Sequence, residues 1–195
     1  MIEKKEIGKI FKVGFTLCAI TAISALVLAV VNSVTEPIIA KNLEEKQNKA
    51  MKAVIQDAEE FTPIYIGTMD FVEPVNGLYK ATDSNEEEIG YIVMVSPNGY
   101  GGEINMAVGV DTDCKIIGVE VISQSETAGL GSKCTDSEFK NRFIGKTSPL
   151  SVVKSGAKED QIDAISGATV TSKAVTKGVN TAVDAVKFVV ENEKV

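Results

Sequence analysis

The chain opens on its longest uncharged stretch. Residues 13–35 hold no Asp, Glu, Lys or Arg, and Cys18 to Val31 is apolar on every face of a helix. About 20 such residues cross the hydrocarbon layer of a bilayer, and an all-round apolar pattern marks a membrane helix, not an amphipathic one. Past Glu36-Pro37 the pattern turns polar. Ile39, Leu43, Ala50 and Val54 recur loosely on one side. They predict a second helix to about residue 55, a solvated stalk over residues 36–57 with Pro37 in its first turn. Five apolar runs follow, at 61–66, 78–81, 89–95, 104–110 and 116–122. Several alternate with polar residues, as half-buried antiparallel strands do. A charged turn, Asn85 to Glu88, and a glycine-rich loop, Asn98 to Gly102, fall between them. A short helix is predicted over 136–142 and a long one from Thr171 to about Glu191, with Val175, Val179, Val183, Val186 and Val190 on one stripe. Residues 58–195 therefore read as an α+β domain, an antiparallel sheet packed by helices.

Charge orients the N-terminal span. Lys4, Lys5, Lys9 and Lys12 crowd residues 1–12, whereas the far flank mixes both signs. The excess of lysine places the N-terminus in the cytoplasm and the main domain outside it. Three other readings of residues 13–35 each fail on particular residues. A cleaved signal peptide is shorter and ends in a small-x-small exit, but this segment ends Val30-Val31-Asn32-Ser33. A lipoprotein signal sets its Cys near the end of the apolar stretch, and Cys18 sits near the start. Gly14-Phe15-Thr16-Leu17 resembles the processing site of type IV prepilins, but the Glu that family carries five residues after the Gly is Ala19 here. An uncleaved single-pass anchor in the cell membrane is the expectation.

Composition then narrows the chemistry. A chain of 195 residues, less its anchor, has room for one domain of usual size. The net charge of -7, with no basic cluster beyond the membrane flank, argues against a nucleic-acid partner. There is no His, and three Cys at unrelated spacings make neither a metal site nor a disulfide framework. Cys18 lies in the span. Cys114 occupies a predicted hairpin turn, Asp111 to Lys115, where Gly is more usual, and Cys134 lies in a loop. A Cys114–Cys134 bridge stays open, with thiols the favoured reading.

The segment richest in chemistry is Asp163-Ala164-Ile165-Ser166-Gly167-Ala168-Thr169-Val170-Thr171-Ser172. It is a turn of small and hydroxyl residues running straight into the last helix. Gly167 permits a left-handed or tightly approached backbone, and Ala168 adds little bulk. Thr169 and Thr171 stand where their hydroxyls could cap the helix, and that terminus favours phosphate.

Asp-x-x-Ser-Gly-Ala-Thr-x-Thr, from Asp163 to Thr171, resembles the acceptor motif of the FMN-binding domain found in RnfG and NqrC subunits of ion-translocating membrane oxidoreductases. Two further segments are similar to that domain in the same order. Gly99-Tyr100-Gly101-Gly102-Glu103-Ile104 resembles its glycine-rich entry to a central strand. Ser125-Glu126-Thr127-Ala128-Gly129-Leu130-Gly131 resembles its Glu-Thr-Pro-Gly-Leu-Gly loop, which contacts the flavin in that family, with Ala128 where Pro is common. The resemblance implies FMN joined through its phosphate to Thr169 by a separate flavin transferase, which recognises Asp163 and Ser166. An outside enzyme suits a Thr hydroxyl, a poor nucleophile in a chain with no His to serve as base. The implied cofactor site adds Gly167, Ala168 and Thr171, with Glu126, Thr127, Gly129, Leu130 and Gly131 from the second loop. Gly129 and Gly131 would admit the ring edge, Leu130 would offer an apolar face, and Thr127 a hydrogen bond. Tyr100, Phe139 and Phe143 are candidate flavin neighbours or core.

The implied function is electron transfer in an Rnf-type complex that couples ferredoxin and NAD chemistry to Na⁺ or H⁺ movement. This chain has no nicotinamide signature, no iron–sulfur cysteines and no multi-span ion path, so it depends on partner subunits for all three. It carries no complete catalytic site of its own. An NqrC-like subunit or a stand-alone anchored flavoprotein is the runner-up, and a non-redox, pilin-like surface module is the reading from another class.

Overall fold

The computed structural model of the chain describes residues 4–64 and 74–192. The chain divides into two units, Met1–Glu45 and Lys46–Val195. Helix α1 (Lys4–Val54) is unbroken, so the two helices expected on either side of Pro37 are one. A proline inside a helix removes one amide donor and crowds the preceding turn. Here the turns that follow, with Ala40, Lys41, Leu43, Glu44, Glu45 and Lys46, are strong helix formers, and the helix runs through.

In the first unit the apolar side chains face outward all round, among them Phe15, Leu17, Ile23, Leu26 and Val31. Residues 13–35 at 1.5 Å each span ~34 Å, enough for a hydrocarbon layer of ~30 Å. The threonines within the stretch turn back on the helix. Thr16 donates to the Lys12 carbonyl at 2.8 Å, Thr21 to that of Leu17 at 3.0 Å and Thr35 to that of Val31 at 2.9 Å. Hydroxyls satisfied in this way are tolerable in lipid, where an unmet donor is costly.

In the second unit five strands form an antiparallel meander in chain order: β1 (Glu60–Pro63), β2 (Val75–Thr82), β3 (Glu88–Val95), β4 (Asn105–Val110) and β5 (Ile116–Ser123). Each falls on an expected run; residues 65 and 66, the end of the first, lie outside the described residues. The central strand β3 is buried on both faces. Tyr91, Val93 and Val95 point into the larger core, and Ile92 and Met94 join Ala50, Met51, Ile55 and Ala58 on the other side. Two covered faces explain why its sequence is a continuous apolar run. Gly109 and Gly118 pair across β4 and β5. A Cβ on Gly109 would lie 2.2 Å from Val54 Cγ1, and one on Gly118 3.1 Å from the Val54 carbonyl oxygen. The paired glycines are a notch for Val54.

The hairpins β2–β3 and β4–β5 share one construction. Asp83 Oδ1 accepts the amides of Asn85 and Glu87 at 2.8 and 2.9 Å, and Asp111 Oδ1 those of Asp113 and Lys115 at 2.9 and 2.8 Å. The fourth residue of each turn, Glu86 or Cys114, has φ 62°. The carboxylate bonds hold a left-handed residue in place without Gly, which accounts for Cys114. The Glu87 amide, and then that of Asn85, lower the Asp83 pKa from its ordinary 3.8.

Beyond β5 lie a 3-10 turn (Gly131–Thr135), the one-turn helix α2 (Ser137–Lys140) and a second 3-10 turn (Asn141–Phe143). The helix expected over 136–142 is thus a single α turn that tightens. Strands β6 (Ser151–Val153) and β7 (Gln161–Asp163) pair in parallel. Neither was expected, because three residues show no period. Helix α3 (Thr169–Asn192) closes the chain, starting two residues before the expected Thr171. Its Val175, Val179, Val183 and Val186 are buried against the sheet, with Val190 at the margin.

Candidate functional site

Strand β7 delivers the chain to the turn before α3. The Ala168 amide donates to the Ile165 carbonyl at 2.9 Å. Ser172, fully buried, locks this turn: its Oγ accepts the Ile165 amide and donates to the Ala168 carbonyl, both at 2.9 Å. Gly167 has φ 76°, a region that costs an L side chain ~1–2 kcal/mol. Asp163 is braced twice. Its Oδ1 accepts the Ala157 amide at 2.9 Å, and its carbonyl accepts Arg142 Nη1 at 2.7 Å. The other Arg142 nitrogen binds Glu138 at 2.7 Å, and the guanidinium lies over the Phe139 ring. Thr169 emerges exposed, as the first residue of a helix of 24 residues. The free amides and dipole of such a terminus favour an anion.

Behind this turn lies a buried carboxylate. Glu126 is 8% exposed. One oxygen accepts the Gly101 amide at 2.8 Å, and the other accepts the hydroxyl of Thr171. Glycines crowd it from both loops. A Cβ on Gly99 would lie 2.3 Å from Glu126 Oε1, and one on Gly131 2.6 Å from Oε2 and 2.7 Å from Thr171 Oγ1. Thr171 itself is 2% exposed. Its hydroxyl serves Glu126 and does not cap α3, contrary to the expectation from sequence.

These segments enclose a cleft of about 510 Å³, lined by Tyr100, by Glu126, Thr127, Leu130 and Gly131, and by Gly167 to Thr171. Its size falls within the roughly 300–1,000 Å³ of pockets that hold cofactor-sized ligands. Three apolar side chains stand open to solvent around it, Tyr100 at 75%, Val170 at 53% and Leu130 at 43% exposure. An anion-favouring helix start beside an exposed apolar rim suits a ligand with a phosphate at one end and a flat ring system at the other.

Of the expected site residues, the cleft gathers Glu126, Thr127, Leu130, Gly131, Gly167, Ala168, Thr169 and Thr171. Gly129, with φ 75°, Ser166 and Asp163 stand outside the lining. Gly131, by lacking a Cβ, also makes room for the Glu126–Thr171 pair. Phe139 and Phe143 are core, 2% and 0% exposed and edge to face at 5.4 Å. Cys114 and Cys134 are thiols. Burial, and next the Glu126 charge, push the Cys134 thiol up to about 11. Val170, Ser172 and Arg142 escaped the sequence reading. An apolar residue in the exposed first turn of a helix was the available sign for Val170; nothing local marked the other two.

A meander of five strands with a Ser-Gly-Ala-Thr turn at the head of its last helix is the architecture of FMN-binding domains. Similar folds are the crystal structures of NqrC from Shewanella oneidensis (TM-score 0.52, 23% identity, 69% of this chain and 74% of that one) and of the C subunit of the Na(+)-translocating NADH-quinone reductase from Parabacteroides distasonis (TM-score 0.57, 24% identity, 76% and 92%). Residues 99–184 match the FMN-binding domain family, and residues 1–54 match the RnfG N-terminal region. The chain is 35% identical over 187 residues to the G subunit of the proton-translocating ferredoxin:NAD(+) oxidoreductase complex of Clostridium ljungdahlii, covering 95% of this chain and 96% of that one. It is 35% identical over 184 residues to the G subunit of the Na(+)-translocating complex of Acetobacterium woodii, covering 88% of each. The chain belongs to the RnfG family. That membership decides against the NqrC-like and pilin-like readings.

Proposed function

We propose that this chain is the membrane-anchored flavin carrier of an Rnf-type ion-translocating ferredoxin:NAD oxidoreductase, with FMN joined through its phosphate to Thr169. The observation that carries the reading is the contrast between two hydroxyls in one helical turn. Thr169 is exposed at the positive end of α3, while Thr171 is buried and donates to Glu126. Only the first is open to an incoming phosphoryl group. A flavin transferase would supply the base this chain lacks, reading Asp163 and Ser166, the first held in place by Ala157 and Arg142.

FMN, when bound, takes up and passes on electrons. The residues of this chain supply position. The first amides of α3 would hold the phosphate, Tyr100, Leu130 and Val170 would offer apolar surface to the ring, and Thr127 would offer it a hydroxyl. The exposed rim leaves the ring open to electron partners, as a carrier requires. Residues 13–35 would cross the bilayer, with residues 1–12 and their lysines on the cytoplasmic side, and residues 36–57 would form a stalk whose last turns pack on the sheet through Ala50, Met51 and Ile55. Ferredoxin, NAD and the ion path fall to partner subunits.

The test is co-expression with a flavin transferase, followed by a denaturing gel viewed under ultraviolet light. The wild-type band should fluoresce, Thr169→Ala should be dark, and peptide mass mapping should put the flavin on Thr169. A dark wild-type band, or flavin mapped to Thr171, sinks the proposal.

A further inference from the structure

The Glu126 carboxylate lines the cleft, is almost wholly removed from solvent, and among the described residues enters none of the ion pairs. Its two partners, the Gly101 amide and the Thr171 hydroxyl, are neutral donors. Both oxygens accept, which is the bonding pattern of the ionised form. Two neutral donors stabilise a charge without cancelling it, and in a partly desolvated site its field is screened far less than in water.

We infer that Glu126 is a fixed negative charge that lowers the reduction potential of the flavin held in this cleft. The inference rests on the proposed attachment of FMN at Thr169. Reduction adds two electrons to the ring from an external reductant, with one or two protons from water. Any net negative charge gained by the ring is opposed by the carboxylate beside it. Glu126 would act through space, neither bonding to the ring nor transferring a proton. The same side chain binds the Gly101 loop to the first turn of α3, so removing the charge must be separated from removing the brace.

Glu126→Gln does so. The amide has the same shape, its oxygen can still accept from Gly101, and its nitrogen can donate to Thr171 Oγ. Full-length wild type and variant, each co-expressed with a flavin transferase and purified in detergent, are reduced slowly with dithionite beside a reference dye of known potential, and the reduced fractions of dye and flavin are read together by visible absorbance. The oxidised-to-reduced equilibrium should shift toward the reduced form by tenfold or more in the variant, about 30 mV for a two-electron couple. Glu126→Asp should stay near wild type. An unchanged potential in fluorescent Glu126→Gln protein overturns the inference while leaving the attachment intact. Flavin retained by Glu126→Asp but lost from both Glu126→Gln and Glu126→Ala also overturns it, because the residue then serves attachment. A wild-type chain without covalent flavin fails the functional proposal itself.

Discussion

Thr171→Val removes one proton donor from the site and little else. Valine keeps the β-branched shape of threonine, so no sizeable cavity opens, but Glu126 loses the partner of its second oxygen. A hydrogen bond to a charged group contributes about 1.5–3 kcal/mol, and Glu126, only 8% exposed, gains little from water in its place. The expected loss of stability is about 2 kcal/mol. In the unit Lys46–Val195, a domain of roughly 150 residues, each kcal/mol moves Tm by about 2–4 °C, so a fall of about 4–8 °C is expected. The assay is thermal unfolding of the full chain in detergent, in wild-type and Glu126→Met backgrounds. With no carboxylate to strand, Thr171→Val should cost under about 0.5 kcal/mol in the second background. Mass mapping should still find the flavin on Thr169. Equal cost in both backgrounds, or a shift below about 1 °C in the first, refutes the pairing.

Three further perturbations probe other parts of the molecule. Gly109→Ala puts a methyl 2.2 Å from Val54 Cγ1 and should cost about 1–3 kcal/mol by overpacking; thermal unfolding should show most of that restored when Val54→Ala is added. Gly167→Ala forces a side chain to φ 76° and to 3.1 Å from Leu130 Cδ2, so it should lower stability by about 1–2 kcal/mol and dim the fluorescent band. The Asp83 pKa is lowered in the folded chain, so its contribution to stability is complete above 3.8 and is lost as pH falls through the lowered value. Melting curves between about pH 5 and pH 2 should therefore fall less steeply for Asp83→Asn than for wild type.

The strands, the apolar span and the turn before α3 were legible because each is a local requirement. Apolar runs along β2 to β5, continuous in β3 where both faces are covered, an uncharged run over residues 13–35, and Gly167 at a left-handed position are all demands a residue meets where it stands. The pairing of β6 with β7 was not legible, since three residues carry no period. The break expected at Pro37 was a local sign overruled by the helix formers that follow it, Ala40 to Lys46. Glu126 shows the limit most clearly. Its bond to Thr171 joins residues 45 apart in the chain, and nothing beside Glu126 announces a buried charge. A trace exists all the same. Gly99, Gly101 and Gly131 each leave space that a Cβ would take from Glu126 or its neighbour Ser125. Their shared constraint is to let three backbones close around one carboxylate, so glycine at these positions should be hard to replace. Gly131→Ala tests this. The added methyl would press on both Glu126 Oε2 and Thr171 Oγ1, so it should lower Tm by about as much as Thr171→Val, and adding it to that variant should cost little more. Full additivity of the two changes would mean that Gly131 answers to something other than this pair.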